Sequence, residues 1–304
     1  LLFYTPGGKV LINGPMTATI EGGTKATTRG TAFYYTGGGT LGNIASYTAL
    51  TPGNVAAWAR TNYGNGTTST LGNLTLNMQA DSRLFLTQKV NMNLSNTSAT
   101  NLMTGITNAP TITGSNYKTF MLYLSKLTIN QAVDLNNSNS NYAQLEIANS
   151  SIENANNMTG SQNRQVAMAQ ENGNDTTGAG YESKEVTLTN TATGVINLTG
   201  EETTGIYAKR GRITNAGKIS VGKKSTGIYL VEDDRSPATA IVGATATNDA
   251  SGVITVGENS TGIFGEANST LLNDTTGNIT VKEESSVGIY SKGKIEKDGF
   301  AKGK

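Results

Sequence analysis

The densest group of acid–base side chains in this 304-residue chain is Glu232-Asp233-Asp234-Arg235, with Lys223 and Lys224 a few positions upstream. Carboxylates, arginine and lysine are enough for polysaccharide cleavage without histidine, so a glycan-cleaving centre would be sought here. Adjacent residues of an extended chain point in alternate directions, however, and cannot all converge on one bond. The plainer reading is a solvated charged loop. Two acidic pairs, Glu201-Glu202 and Glu283-Glu284, each fall just before a Gly-Ile-Tyr phrase. Stacked one repeat apart they would offer oxygen ligands to a hard cation; exposed acidic corners are the simpler account.

Composition removes most other chemistry. The chain has no His, which excludes the commonest general base, the Ser-His-Asp triad and most zinc sites. It has no Cys, hence no disulfide framework and no thiolate metal site. Lys224-Ser225 lacks the glycine spacing of a phosphate loop, and no G-x-G-x-x-G opens a helix, so no nucleotide cofactor is expected. With 23 basic and 22 acidic residues the net charge is +1, too small to draw nucleic acid or an anionic membrane. No run of 18 apolar residues reads as a membrane-spanning helix. The expectation is a non-enzymatic chain without cofactor or metal.

The elements that must position these residues are set by a repeat. Thr189-Asn190 leads to Thr204-Gly-Ile-Tyr207, Thr214-Asn215 to Thr226-Gly-Ile-Tyr229, Thr247-Asn248 to Thr261-Gly-Ile-Phe264, and Leu272-Asn273 to Val287-Gly-Ile-Tyr290. Between them stand Gly194-Val-Ile-Asn-Leu198, Gly217-Lys-Ile-Ser-Val221, Gly252-Val-Ile-Thr-Val256 and Gly277-Asn-Ile-Thr-Val281. Steps of 23, 35 and 25 residues between these glycines describe one supersecondary unit per repeat, with one insertion. Apolar residues alternate with polar ones, the two-residue period of a strand with one face buried. Three short strands per repeat make one turn of a three-sided coil. The fold class is therefore all-β, a parallel β-helix with loop excursions.

In that register Ile196, Ile219, Ile254 and Ile279 form one inward column, and Leu198, Val221, Val256 and Val281 the next. Glycine at the corners suits sharp turns, and asparagine at 190, 215, 248 and 273 suits tight bends, since both tolerate left-handed backbone. If Ile206, Ile228, Ile263 and Ile289 point inward, Tyr207, Tyr229, Phe264 and Tyr290 point outward as a ladder that stiffens the stack. A ladder of this kind is also a platform for sugars or protein partners.

Four regions follow. Residues 1–65 are irregular and aromatic-rich, either loose coils or a subdomain. Residues 66–152 carry degenerate rungs such as Leu74–Met78 and Leu127–Ile129. Residues 153–185 are so polar that they read as a loop excursion. Residues 186–304 hold the regular repeats, with a second excursion at 231–245. Partner contacts are expected on material that leaves the stack, which is free to vary and supplies anchor residues: Tyr34, Tyr35, Trp58, Tyr63 and Arg235. Rows of Thr-x-Thr would suit an ice- or surface-binding solenoid, but Thr17-Ala-Thr19 and Thr245-Ala-Thr247 do not recur at coil spacing. The chain opens Leu1-Leu-Phe-Tyr-Thr-Pro6 and closes on a stretch, Lys292 to Lys304, that reads as a coil cut short, so it is expected to be a piece of something longer.

Over residues 187–291, phrases such as Asn215-Ala-Gly-Lys-Ile-Ser-Val221 and Ser225-Thr-Gly-Ile-Tyr229 resemble those of the very large type V (Va) autotransporter adhesins of fusobacteria. Upstream the likeness is compositional. The resemblance implies a monomeric passenger, a right-handed parallel β-helix at the bacterial cell surface, attached to the outer membrane through a barrel absent from this chain. It implies binding to a host cell-surface protein, a host glycan or other bacteria, and a role in virulence. The family supplies no catalytic motif to carry over. The rival from another class is a secreted β-helix enzyme acting on polysaccharide.

Overall fold

The computed structural model describes residues 14–23, 29–36, 48–50, 73–88, 90–94, 111–114, 116–123, 125–138, 143–148, 150–170, 187–232 and 243–292. These residues form short strands that pair in parallel, coil upon coil, with a 3-10 turn at Leu135–Ser138. In each repeat the chain visits three faces in a fixed order. An asparagine face holds Thr187–Asn190, Arg212–Asn215, Thr245–Asn248 and Thr270–Asn273. A middle face holds Val195–Leu198, Lys218–Val221, Val253–Val256 and Asn278–Val281. An aromatic face holds Thr204–Ala208, Thr226–Leu230, Thr261–Gly265 and Val287–Ser291. This is a three-sided parallel β-helix.

The aromatic face is continuous through nine strands and the asparagine face through eight. The middle position is split between sheets of three and six strands. At about 4.8 Å per coil, nine coils span about 38 Å. Met16–Ile20, Thr31–Thr36 and Thr48–Leu50 pair with Leu74–Met78, Arg83–Gln88 and Val90–Leu94, so these parts of residues 1–65 are coils of the same stack and not a subdomain.

The expected inward columns are in register and buried at Ile196, Ile219, Ile254, Leu198, Val221 and Val256. Burying one such side chain stabilises by about 1.5–3 kcal/mol. Ile279 and Val281 keep the register but not the burial: Ile279 is half-buried and Val281 is 37% exposed. A solenoid side chain is covered by the coils on both sides, and these two stand in the last described coil. Inside the aromatic face Phe33, Phe85 and Phe120 stack with centroids 5.6 and 5.0 Å apart. Further along, the same column passes through Met168, Ile206, Ile228 and Ile263.

The repeated asparagines do not sit on left-handed bends. Asn154, Asn190, Asn215 and Asn248 are fully buried strand-end residues, and none has positive φ. Each side-chain amide donates to the next coil: Asn154 Nδ2 to Asn190 Oδ1 at 2.9 Å, Asn190 to Asn215 at 2.8 Å, Asn215 to Asn248 and Asn248 to Asn273 at 2.7 Å. An amide carries both donor and acceptor, so a column of identical residues satisfies itself without water.

The glycines of the middle phrase serve this ladder rather than a left-handed turn. A Cβ at Gly194 would lie 2.3 Å from Asn190 Oδ1, and one at Gly252 would lie 2.3 Å from Asn248 Oδ1. Left-handed backbone falls instead on a column of non-glycine residues, each two positions before an aromatic-face strand: Asp81, Asn116, Arg164, Glu202, Lys224, Asn259 and Ser285, with φ between 52 and 62°. The residue after this corner turns inward in the regular repeats. There the hydroxyl oxygens of Ser225, Ser260 and Ser286 accept the backbone N–H of Thr203, Ser225 and Ser260 at 2.9, 3.0 and 3.1 Å.

Part of the expected excursion at 153–185 is a full coil. Ser151–Asn154, Asn157–Gly160 and Val166–Gln170 take their places on the three faces. Its buried set includes Asn154, Gln165 and Gln170 beside Ile152, Met158 and Met168, so hydrogen-bonded amides stand where apolar residues would have shown a strand. Residues 171–186 lie outside the described residues.

Candidate functional site

The aromatic side chains that alternation sends outward form a row across four coils. Tyr207 and Tyr229 meet edge to face with centroids 5.7 Å apart, and Tyr229 and Phe264 do so at 4.9 Å. Phe264 and Tyr290 stack at 5.2 Å, and Lys292 Nζ lies 5.6 Å from the Phe264 centroid. Tyr207, Tyr229 and Phe264 are half-buried, while Tyr290 is 46% exposed. Rings packed on one another along the axis spend much of their faces internally, leaving edges and hydroxyls for a partner. Tyr229 donates its hydroxyl to Glu266 Oε1 at 3.0 Å. Burial, followed by that bond and the carboxylate charge, raises the phenol above its usual range, so the proton stays on Tyr229.

Beside the row, Thr204, Thr226 and Thr261 pair in register as a column of half-buried side chains. Threonines also stand on the asparagine face. Thr187 and Thr189 pair with Arg212 and Thr214, these with Thr245 and Thr247, and these with Thr270 and Leu272. Both threonines of a Thr-x-Thr are kept only in alternate coils of this set, so no Thr-x-Thr row runs through consecutive coils there.

The left-handed corner gathers the charges. Arg164 Nε donates to Glu202 Oε2 at 2.7 Å, Lys224 Nζ to Glu201 Oε2 at 3.4 Å, and Lys223 Nζ lies 2.9 Å from Glu258 Oε2. The bond from Arg164, and then its charge, holds Glu202 below the usual carboxylate range. The bond between Lys223 and Glu258 raises the lysine and lowers the glutamate. The coils carrying Lys223-Lys224 and Glu258-Asn259 separate Glu201-Glu202 from Glu283-Glu284, so the two pairs are not stacked one coil apart. Among the described residues no group of acidic side chains is arranged to hold a metal ion.

Of the residues singled out for chemistry, Asp233, Asp234 and Arg235 lie outside the described residues, as do Trp58 and Tyr63. Tyr34 is half-buried on the aromatic face and pairs with Leu86. Tyr35 pairs in backbone register with Thr87, and its side chain is outside the described set. Lys223 and Lys224 face acids of neighbouring coils and are not companions of Glu232. Glu266 was not singled out from the sequence. It follows an aromatic phrase in an ordinary turn, and only the stacking of coils carries it to Tyr229.

Comparison with known proteins gives no match: no protein-family model, no curated protein and no solved structure is similar to this chain.

Proposed function

We propose that this chain is a stretch of an extended β-helix displayed at a bacterial cell surface, serving attachment to a host protein or glycan, or to other bacteria, and not catalysis. The observation that carries the reading is the uninterrupted stack. Nine coils paired strand to strand, five of them also joined by an interior amide ladder, form a rod whose side faces are presented repeatedly along its length. The repeat phrases that resemble fusobacterial autotransporter passengers fall on these regular coils, and support a passenger anchored elsewhere by an outer-membrane barrel. The corner charges neutralise one another in pairs, which suits a spacer that must not repel itself.

The test is a glycan array and a host-cell binding assay with the purified chain beside an unrelated β-helix. Attachment above the control is expected, reduced by Ala at one or more of Tyr34, Tyr35, Trp58, Tyr63 and Arg235 with the melting curve unchanged. No attachment above the control sinks the reading. Polysaccharide turnover abolished by changing Asp233 or Asp234 would replace it with the enzyme.

A further inference from the structure

Glu266 stands in the turn after Thr261–Gly265, one coil beyond Tyr229, and is half-buried. Its carboxylate is divided between two donors. Oε1 accepts the Tyr229 hydroxyl at 3.0 Å, and Oε2 accepts the backbone N–H of Glu232 at 3.1 Å. Just before that point the backbone is still tied coil to coil: Val231 N–H donates to Ala208 O and Glu266 N–H to Leu230 O, both at 2.9 Å. The next N–H, that of Glu232, goes to a side chain.

At the same corner one coil earlier a neutral residue collects the N–H groups, and it comes from the coil before its donors and not from the coil after. Gln170 Oε1 accepts the N–H groups of Lys209 and Arg210 at 3.0 and 2.8 Å. Both donors converge on one oxygen there, so an amide suffices. At Glu266 the two donors approach different oxygens, and only a carboxylate accepts through both. The connections differ too. After Arg210 the chain reaches its next strand at Arg212, whereas after Glu232 the next strand among the described residues begins at Thr245.

We infer that Glu266 is a latch: it ties the backbone of Glu232, at the end of the coil that carries Thr226–Leu230, to the hydroxyl of the aromatic row and holds that coil end in place. Charged residues along this corner are Lys209 and Arg210 in the coil before the clamped one, Glu232 in the clamped one, and Lys292 in the coil after Glu266, its Nζ 5.6 Å from the Phe264 centroid. The latch is independent of the attachment reading and holds whether or not the chain is an adhesin.

Hydrogen exchange at individual amides and titration of the Tyr229 phenol test it. Glu266→Ala is expected to speed exchange at the Glu232 amide by about 10-fold or more, the loss of a charge-assisted bond, while the amides of Ile228 and Ile263 keep their protection. The phenol should titrate at lower pH than in the parent. Glu266→Gln keeps the shape and can hold both groups by accepting the Glu232 N–H through Oε1 and donating Nε2–H to the Tyr229 oxygen, so Glu232 stays protected while the phenol, relieved of the carboxylate charge, titrates at lower pH. Tyr229→Phe leaves Glu232 protected. Unchanged exchange at Glu232 in Glu266→Ala overturns the latch, and so does a loss of protection that spreads to Ile228 and Ile263, which would make Glu266 a packing residue.

Discussion

Asn190 and Asn215 stand one coil apart in the buried interior, and the amide of the first donates to the carbonyl of the second at 2.8 Å. Asn190 also donates to the Gly194 carbonyl at 3.3 Å, so one side chain ties its own turn and the next coil together. The repeated Asn and Gly are two halves of one device, since a Cβ at Gly194 would strike the Asn190 side chain.

Breaking the ladder in the middle should be costly. Asn215→Ala strands the Asn248 side-chain carbonyl in the interior, and an unsatisfied buried group costs about 1–3 kcal/mol; Asn190 Nδ2 keeps its longer bonds to the Gly194 and Lys218 carbonyls. The expected loss is about 1–3 kcal/mol, with a smaller loss for Asn273→Ala, where the ladder reaches its last described member and burial is less complete. Denaturant unfolding of the two variants measures it, and equal losses would show that the ladder is not cooperative.

Gly252→Ala should destabilise, although alanine ordinarily suits a strand better than glycine. The added methyl carbon would lie 2.3 Å from both the Asn215 carbonyl oxygen and Asn248 Oδ1. Backbone is one of the two obstacles, so repacking of side chains cannot relieve it, and a cost of about 1–3 kcal/mol is expected. Thermal unfolding reads the sign directly. A stabilised variant would contradict the close approach.

Ser285→Gly should stabilise by about 0.5–1 kcal/mol, because a left-handed residue without a Cβ escapes its steric penalty. Ser285 has φ 59° and is exposed. The same change at Glu202 or Lys224 should gain less, since each also gives up its charged contacts across coils. Melting temperatures of the three variants rank the effects; a loss at Ser285 would assign its side chain a role of its own.

The corner pairs predict a pH profile. Glu202 and Glu258 are held below the usual carboxylate range, chiefly by hydrogen bonds from Arg164 and Lys223. Their contribution is present above the unfolded carboxylate pKa and is lost as pH falls through the lower folded value. Lys223 is raised, chiefly by its bond to Glu258, so its contribution is present below the unfolded lysine pKa and is lost as pH rises through the higher folded value. Exposure makes these contributions small and sensitive to salt. A carboxyl NMR titration should find the Glu202 transition moved upward in Arg164→Ala; an unmoved transition would leave the pair without effect.

Much of the architecture was legible because a β-helix writes its core locally. The alternation in Lys218-Ile-Ser-Val221 and its three relatives states which side chains face inward, and repetition states that the coils stack, so the fold class and the Ile and Val columns follow from spacing alone. The coil at 151–170 was hidden because Asn154, Gln165 and Gln170 are polar by type yet buried in fact. Burial of an amide depends on whether partners arrive from other coils, and Asn154 finds Asn190 across 36 residues of chain. For the same reason Asn and Gly were read as turn formers when their positions are set by a shared contact. The separation of the two acidic pairs by lysines and the meeting of Glu266 with Tyr229 both depend on which coil lies above which. Side-chain type and local period determine the strand, whereas hydrogen bonds and ion pairs act over a few ångströms between residues tens of positions apart. Only the stacked structure decides those.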